Sequence, residues 1–453
     1  MNSVLIANRG EIACRIIRSC RRLGLRTVAV YSEADRGALH VALADEAVGI
    51  GPPPARDSYL RVDRVLDAAR ASGADAVHPG YGFLSENAGF AEAVMAAGLT
   101  WIGPSARAIR EMGDKQRARD LAQASGLPIL VGSPVFREAG AGDLESAGAA
   151  VGYPLLVKAA AGGGGIGMRR VDGPGQLRAA AEGTQSMAAK AFGNGAIYFE
   201  RFIERARHIE IQVFGYGDGH AIHLYERDCS IQRRYQKVIE ESPAPCLPDA
   251  IRNDMALAAA RLCADQRYAG AGTIEFVVDA DTLDWYFLEM NTRIQVEHPV
   301  TEMNTGLDLV AMQIELARGT LGALTQADVV SSGHAMECRV YAENPAKNFM
   351  PSPGRLVRFE QPEQTADVRI DSGFRAGDDV SHFYDPMIAK VICHGPTRAA
   401  AIERMLETLR AIRIEGPVTN LDFLRAAVGH PDFRKGEVFT GFIERFKPAL
   451  LAA

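Results

Sequence analysis

The chain has 453 residues, 47% hydrophobic and 23% charged, with a formal net charge of −6. That length exceeds one small core and predicts two or three domains. The acidic balance gives no basic face for nucleic acid, and no apolar run approaches a membrane span. A strand is predicted over 4–8, beginning at once and leaving no room for a signal peptide. An amphipathic helix follows over 11–23, with Ile12, Ile16, Cys20 and Leu23 on one side. A strand over 27–31, a helix over 62–72, a strand over 76–78 and a helix over 88–97 complete a β-α-β-α order. That order predicts a parallel sheet of Rossmann-like topology over 1–113. Its first turn, Asn8-Arg9-Gly10-Glu11, lacks G-x-G-x-x-G, so dinucleotide binding is not supported. Residues 114–130 read as a helical connection and 131–203 as a small mobile lid. Residues 204–453 read as a C-terminal α+β domain, with a late β-rich stretch after Pro351-Ser352-Pro353-Gly354 and a helix over 396–412. The seven cysteines are scattered without a C-x-x-C pair, which predicts a reduced, cytoplasmic protein without disulfides or structural metal.

Two motifs carry chemistry. An apolar strand ending in Lys158 runs into Ala159-Ala160-Ala161-Gly162-Gly163-Gly164-Gly165-Ile166-Gly167-Met168. Glycines let backbone N–H groups approach an anion closely. No Gly-Lys-Ser/Thr follows, so this is no Walker A loop; alone it is a flexible surface loop. Further on, 272–278 and 285–297 read as two strands joined by a turn over 279–284. In the second, E-M-N-T-R-I-Q-V-E-H, alternation predicts one face holding Glu289, Asn291, Arg293, Gln295 and Glu297, with Met290, Ile294 and Val296 in a core. The alternative is a solvated, salt-bridged face. The apolar run Trp285-Tyr286-Phe287-Leu288 argues against it. Glu275, Glu289 and Asn291 are hard oxygen ligands suited to magnesium or manganese beside phosphates. A lysine-tipped glycine loop upstream of a metal hairpin describes a hinged lid over ATP.

The chain resembles biotin carboxylase, the ATP-grasp component of biotin-dependent carboxylases, of the acetyl-CoA carboxylase type. The resemblance runs from Ile6-Ala7-Asn8-Arg9-Gly10-Glu11-Ile12-Ala13 to about Phe446. It includes the loop H-P-G-Y-G-F-L-S-E-N from His78 to Asn87, Met112-Gly113-Asp114-Lys115, Arg207-His208-Ile209-Glu210-Ile211-Gln212-Val213, E-R-D-C-S-I-Q-R-R from Glu226 to Arg234, and Glu337-Cys338-Arg339. It implies an α/β ATP-grasp fold. The implied nucleotide residues are Lys115, Lys158, Gly164, Gly165, Met168, Glu200, Arg201, Phe202, Ile203, His208, Gln232, Tyr235, Glu275 and Glu289, with backbone groups of 200–203 reading adenine and His208 near the ribose. Lys237, Arg293, Gln295 and the Val296 N–H are implied to hold bicarbonate, Glu297 to deprotonate it, and Arg339 to stabilise the biotin enolate. Tyr81 and Glu86 are implied to line the biotin entrance, or else to pack the turn.

The implied reaction carboxylates N1 of carrier-bound biotin, using ATP, magnesium or manganese, and bicarbonate through carboxyphosphate. Another ATP-grasp ligase, of carbamoyl-phosphate synthetase-like type, is the competing reading. Ile166 and Tyr235 stand where the family commonly has Arg and His, implying altered nucleotide contacts. With no Met-Lys-Met tripeptide, the chain is expected to work with a biotin carboxyl carrier protein, on another polypeptide or on a further part of a longer chain, and with carboxyltransferase subunits, as a homodimer. No nucleic acid or membrane partner is expected.

Overall fold

The computed structural model describes residues 1–137, 143–160 and 168–452. Its first sheet is wholly parallel: β1 (Ser3–Ile6), β2 (Arg26–Tyr31), β3 (Glu46–Gly49), β4 (Ala76–His78) and β5 (Thr100–Trp101) lie in the order β3-β2-β1-β4-β5. Central β1 is buried on both faces, as parallel strands covered by helices are. The helix Gly10–Arg22 carries Glu11 in its first turn and Arg21 and Arg22 in its last, matching the helix dipole. Val62–Ser72 stops at Gly73 in the left-handed conformation (φ 60°), and Ala88–Ala96 is capped by the Asn87 side chain. The expected β-α-β-α order is present; β3 is partly exposed and lacks the apolar run of β1 and β4, and β5 is only two residues long.

Three antiparallel strands, β6 (Leu155–Ala159), β7 (Met168–Val171) and β8 (Ile197–Arg201), form a separate sheet in the order β7-β6-β8. It has its own small core around Phe136, Leu155, Val157, Leu177 and Phe199. The third large element is an antiparallel sheet of eight strands. These are β9 (Ala206–Tyr216), β10 (Ala221–Arg233), β11 (Gln236–Ser242), β12 (Ala269–Asp279), β13 (Trp285–Asn291), β14 (His334–Tyr341), β15 (Val368–Ser372) and β16 (Met387–Gly395), ordered β13-β12-β9-β10-β11-β14-β16-β15. Ile209, Ile211, Val213, Ile274, Phe276 and Val278 alternate onto one face and pack with the helix Asp249–Asp265. The residues between them point to the opposite face.

No helix among the described residues is long and apolar enough to cross a membrane. All seven cysteines are free.

One buried imidazole gives the fold an acid sensitivity. His40 is wholly buried, 3.3 Å from the Val30 carbonyl, and burial holds it down to about 4. The unfolded chain takes up that proton near the ordinary value of about 6.5. Stability from this site is therefore complete above that value and lost as pH falls towards 4. His40→Met, uncharged throughout, should flatten the acid limb of the stability curve by up to about 1.4 kcal/mol per pH unit in denaturant titrations. Parallel curves for the two proteins would mean that the fold accepts a charged His40.

Candidate active site

Strand register carries four charged groups into one line. Glu289 on β13 pairs with Glu275 on β12, Glu275 with Glu210 on β9, and Glu210 with Arg227 on β10. Glu210 is wholly buried and Glu275 nearly so. Three carboxylates on adjacent strands repel one another unless cations separate them. Lys237 on β11 does much of this, donating to Glu210 (2.5 Å), Glu275 (2.7 Å) and Glu297 (2.7 Å). Burial alone would discharge this lysine; the three carboxylates hold it charged, well above the usual range. His208 Nε2 lies 3.2 Å from Glu275 and 3.7 Å from Glu210. Burial opposes its charge, but Glu275 and its neighbours lift it to about 9. Glu297 is held at about 2 against the opposing effect of burial, by Lys237 and then Arg339 and Arg227.

Glu289 has no ion-pair partner among the described residues, and its carboxyl is raised by burial and then by Glu275. A pair of facing carboxylates, Glu275 buried and Glu289 half-buried, one of them without a cation, fits a hard divalent ion. Asn291 is turned differently. Its NH2 donates to Glu275 (2.9 Å) and its oxygen accepts from Arg293 (3.0 Å), so ligation through that oxygen requires the Arg293 contact to open.

The segment 289–297 is not one strand. β13 ends at Asn291, a turn follows, and the helix His298–Thr305 begins with Pro299 in its first turn. Proline suits a helix start and cannot continue a sheet ladder. Glu86 fastens the turn by accepting from the Thr292 N–H (3.3 Å) and Arg293 Nε (3.0 Å). This turn, not alternation, brings Arg293, Gln295 and Glu297 towards Glu275. Ile294 is in the core as expected; Val296 is only half-buried, and its carbonyl accepts from Lys390 (2.7 Å).

Beside the acidic row lies a cavity of about 260 Å³. Lys115, Lys158, Met168, Glu200, Arg201, Phe202, Ile203, His208, Gln232, Tyr235, Glu275 and Glu289 all line it. Gly164, Gly165 and Ile166 lie outside the described residues. The Glu200 side chain pairs with Lys158 and with Arg119 (2.7 Å), so this lysine is held at the cavity wall. Arg234 and Tyr235 form a two-residue hairpin turn between β10 and β11, both at positive φ (48° and 65°) without a glycine. Strain of that kind persists where the surroundings enforce it.

At the other end of the row, Arg339 Nη2 lies 3.0 Å from Glu297 and 2.6 Å from Glu240. The Tyr81 hydroxyl donates to Glu11, which also pairs with Lys390 (3.2 Å). Reading the sequence did not single out Glu210, Arg227, Glu240 or Arg119. The alternation in H-I-E-I-Q-V from His208 to Val213 put Glu210 on the polar face of its own strand, and was the signal available for it.

The family model described as "Biotin carboxylase, N-terminal domain" matches residues 1–109. "Carbamoyl-phosphate synthase L chain, ATP binding domain" matches 114–324, and "Biotin carboxylase C-terminal domain" matches 337–445. Biotin carboxylase 1 of Bacillus subtilis is 50% identical over 446 residues, 98% of this chain and 99% of that protein. The chain belongs to the biotin carboxylase family. The alpha subunit of mitochondrial methylcrotonoyl-CoA carboxylase from Oryza sativa subsp. japonica is 49% identical across all of this chain, which spans 61% of that longer protein. The Campylobacter jejuni biotin carboxylase structure, a β,γ-ATP complex, superposes with a TM-score of 0.94 at 41% identity, covering 98% of each chain. The biotin carboxylase domain dimer of Hydrogenobacter thermophilus 2-oxoglutarate carboxylase, with MgADP, ADP and bicarbonate, gives 0.93 at 41%, covering 99% of this chain and 98% of that one. The fold is therefore that of an ATP-grasp biotin carboxylase.

Glu289→Gln removes one of two facing carboxylates. It should lower magnesium-dependent ATP turnover by roughly 10²-fold or more, while the melting temperature holds or rises as repulsion from Glu275 is relieved. Near-wild-type turnover would remove the hairpin from the cation site.

Proposed function

We propose that this chain catalyses the ATP- and bicarbonate-dependent carboxylation of biotin N1 on a carrier protein. The observation that carries the reading is Glu297. This carboxylate lies between Lys237 and Arg339, at the end of an acidic row that starts in the nucleotide cavity. A base, two cations and a phosphate-binding cavity in contact are what joining bicarbonate to a phosphoryl group requires.

On this reading Lys115 and Lys158 bind the ATP phosphates. Glu275 and Glu289 would hold a magnesium or manganese ion, which supplies charge neutralisation at the transferring phosphoryl group. Arg293, Lys237, Gln295 and the Val296 N–H receive bicarbonate. Its arrival draws Lys237 from Glu297 and frees the carboxylate to take the bicarbonate proton. The bicarbonate oxygen then attacks the γ-phosphorus, the bond to the β-bridging oxygen breaks, and ADP leaves. The resulting carboxyphosphate divides into carbon dioxide and phosphate. Phosphate removes the ureido proton of biotin, Arg339 stabilises the enolate oxygen, and N1 attacks carbon dioxide. Closure over the site keeps water from carboxyphosphate.

Relatives named for methylcrotonoyl-CoA and propionyl-CoA carboxylases support an acyl-CoA as final acceptor, on a carboxyltransferase partner. The resemblance drawn from the sequence is to the acetyl-CoA carboxylase type, of fatty-acid metabolism; choice of acceptor belongs to the carboxyltransferase. A biotinylated carrier protein as second partner, a homodimer and a reducing cytoplasmic compartment complete the proposal; the free cysteines fit the last. The biotin carboxylase matches flanking the ATP-binding region favour biotin over a carbamoyl-phosphate synthetase-like product.

Glu297→Ala should lower the kcat of bicarbonate-dependent ATP hydrolysis, measured with free biotin, by roughly 10²–10⁴-fold with little change in the KM for ATP. A raised KM for ATP at unchanged kcat would make Glu297 a binding group and sink the proposed base.

A further inference from the structure

Arg227 is wholly buried in the eight-stranded sheet and touches no part of the nucleotide cavity lining. Its guanidinium is nevertheless fully used. Nε donates to Glu210 (2.6 Å), and Nη1 to Gln212 and Thr301 (both 2.8 Å). Nη2 donates to Gln295 Oε1 (2.8 Å) and, at 3.4 Å, to Thr273. The carboxylate, two amide oxygens and two hydroxyls come from β9, β12, the turn after β13 and the helix His298–Thr305.

The contact with Gln295 has a consequence for the anion pocket. The partners of a side-chain amide decide which of its ends is the oxygen and which the nitrogen. Arginine has five donors and no acceptor. The atom of Gln295 facing Arg227 must therefore be the oxygen, and the NH2 group must face the other way. There it donates one hydrogen to Glu275 Oε1 (2.9 Å), which as a carboxylate only accepts. The same Glu275 oxygen accepts from Lys237 (2.7 Å), so the Gln295 amide nitrogen lies beside the lysine that also reaches Glu297. We infer that Arg227 is a positioning residue for the anion pocket: it locks the Gln295 amide so that a donor, never the carbonyl, meets the bound anion. Without that lock the Glu275 contact alone orients the amide, and its donor is less firmly held towards a negatively charged substrate. The inference rests on the bicarbonate reading of this pocket.

The test is a double-mutant cycle on the KM for bicarbonate in ATP hydrolysis by the full chain, with the KM for ATP read alongside. Gln295→Ala should raise the bicarbonate KM about tenfold or more, the usual worth of a hydrogen bond to a charged group. Arg227→Met should do the same and leave the KM for ATP within about twofold. In the Gln295→Ala background, Arg227→Met should add almost nothing, because the group it positions is gone. A purely structural role would instead lower both affinities and kcat together, and would do so equally in both backgrounds; that additive result overturns the inference. A wild-type bicarbonate KM for Gln295→Ala would instead overturn the bicarbonate pocket itself. Should Arg227→Met not fold, Arg227→Lys completes the cycle: it keeps the charge inside but cannot hold all the partners at once. A wild-type bicarbonate KM in Arg227→Lys would likewise overturn the inference.

Discussion

Glu289, Glu275 and Glu210 stand side by side across three hydrogen-bonded strands, and most of the site follows from that register. Paired strands lie about 4.8 Å apart, so carboxylates in register on one buried face repel strongly. The fold offsets this with cations aimed from the neighbouring strands: Arg227 from β10, Lys237 from β11 and His208 from β9. Removing one partner from such a network leaves a buried charge unpaired, at a cost of about 3–5 kcal/mol. The row is left short of one cation at Glu289, the end that opens on the nucleotide cavity. On the proposed reading a divalent ion carried in with phosphates would complete it. The same shortage makes the site less stable than an apolar strand face would be, as binding sites commonly are.

The rest of the molecule holds this row and its turn in place. Arg15, from the first helix of the parallel domain, pairs with Glu302 (2.8 Å) and Asp308 (2.7 Å) just beyond the turn. Glu302 also pairs with Arg369 on β15 (2.7 Å). Glu86 reaches from the parallel domain to the turn itself, and Glu11 reaches Lys390 on β16, whose amine holds the Val296 carbonyl. The turn that carries Arg293, Gln295 and Glu297 is thus held from both sides. The nucleotide side is different. There the small sheet β7-β6-β8 has its own core and meets the rest through contacts such as Arg119 with Glu200. That division suits a site in which one wall must stay fixed while another admits ATP.

Local patterns in the sequence reached far, and failed where tertiary contacts decide. The parallel domain was legible because its helices and strands switch between periods of 3.6 and 2 within short spans. The β12–β13 hairpin was legible for the same reason, down to Glu275 facing Glu289. Alternation then continued to mislead past Asn291. The polar residues Arg293, Gln295 and Glu297 keep a period of two while the backbone turns, because Glu86, some two hundred positions earlier, fixes the turn. Glu210 and Arg227 went unnoticed because their meaning lies in which strands pair. Glu200 was read only for its backbone, since its ion pair with Lys158 crosses between β8 and β6. Asn291 shows the limit of residue type as a guide: an amide oxygen is a plausible ligand until a neighbouring arginine claims it.

The central claim is that this row of charges joins bicarbonate to the γ-phosphate of ATP. Oxygen labelling tests it most directly. With ¹⁸O-bicarbonate in unlabelled water, the account predicts one labelled oxygen in each phosphate released, because the bicarbonate oxygen forms the new bond to phosphorus. Unlabelled phosphate, its fourth oxygen taken from water, would contradict it, and would make the acidic row a site of plain ATP hydrolysis.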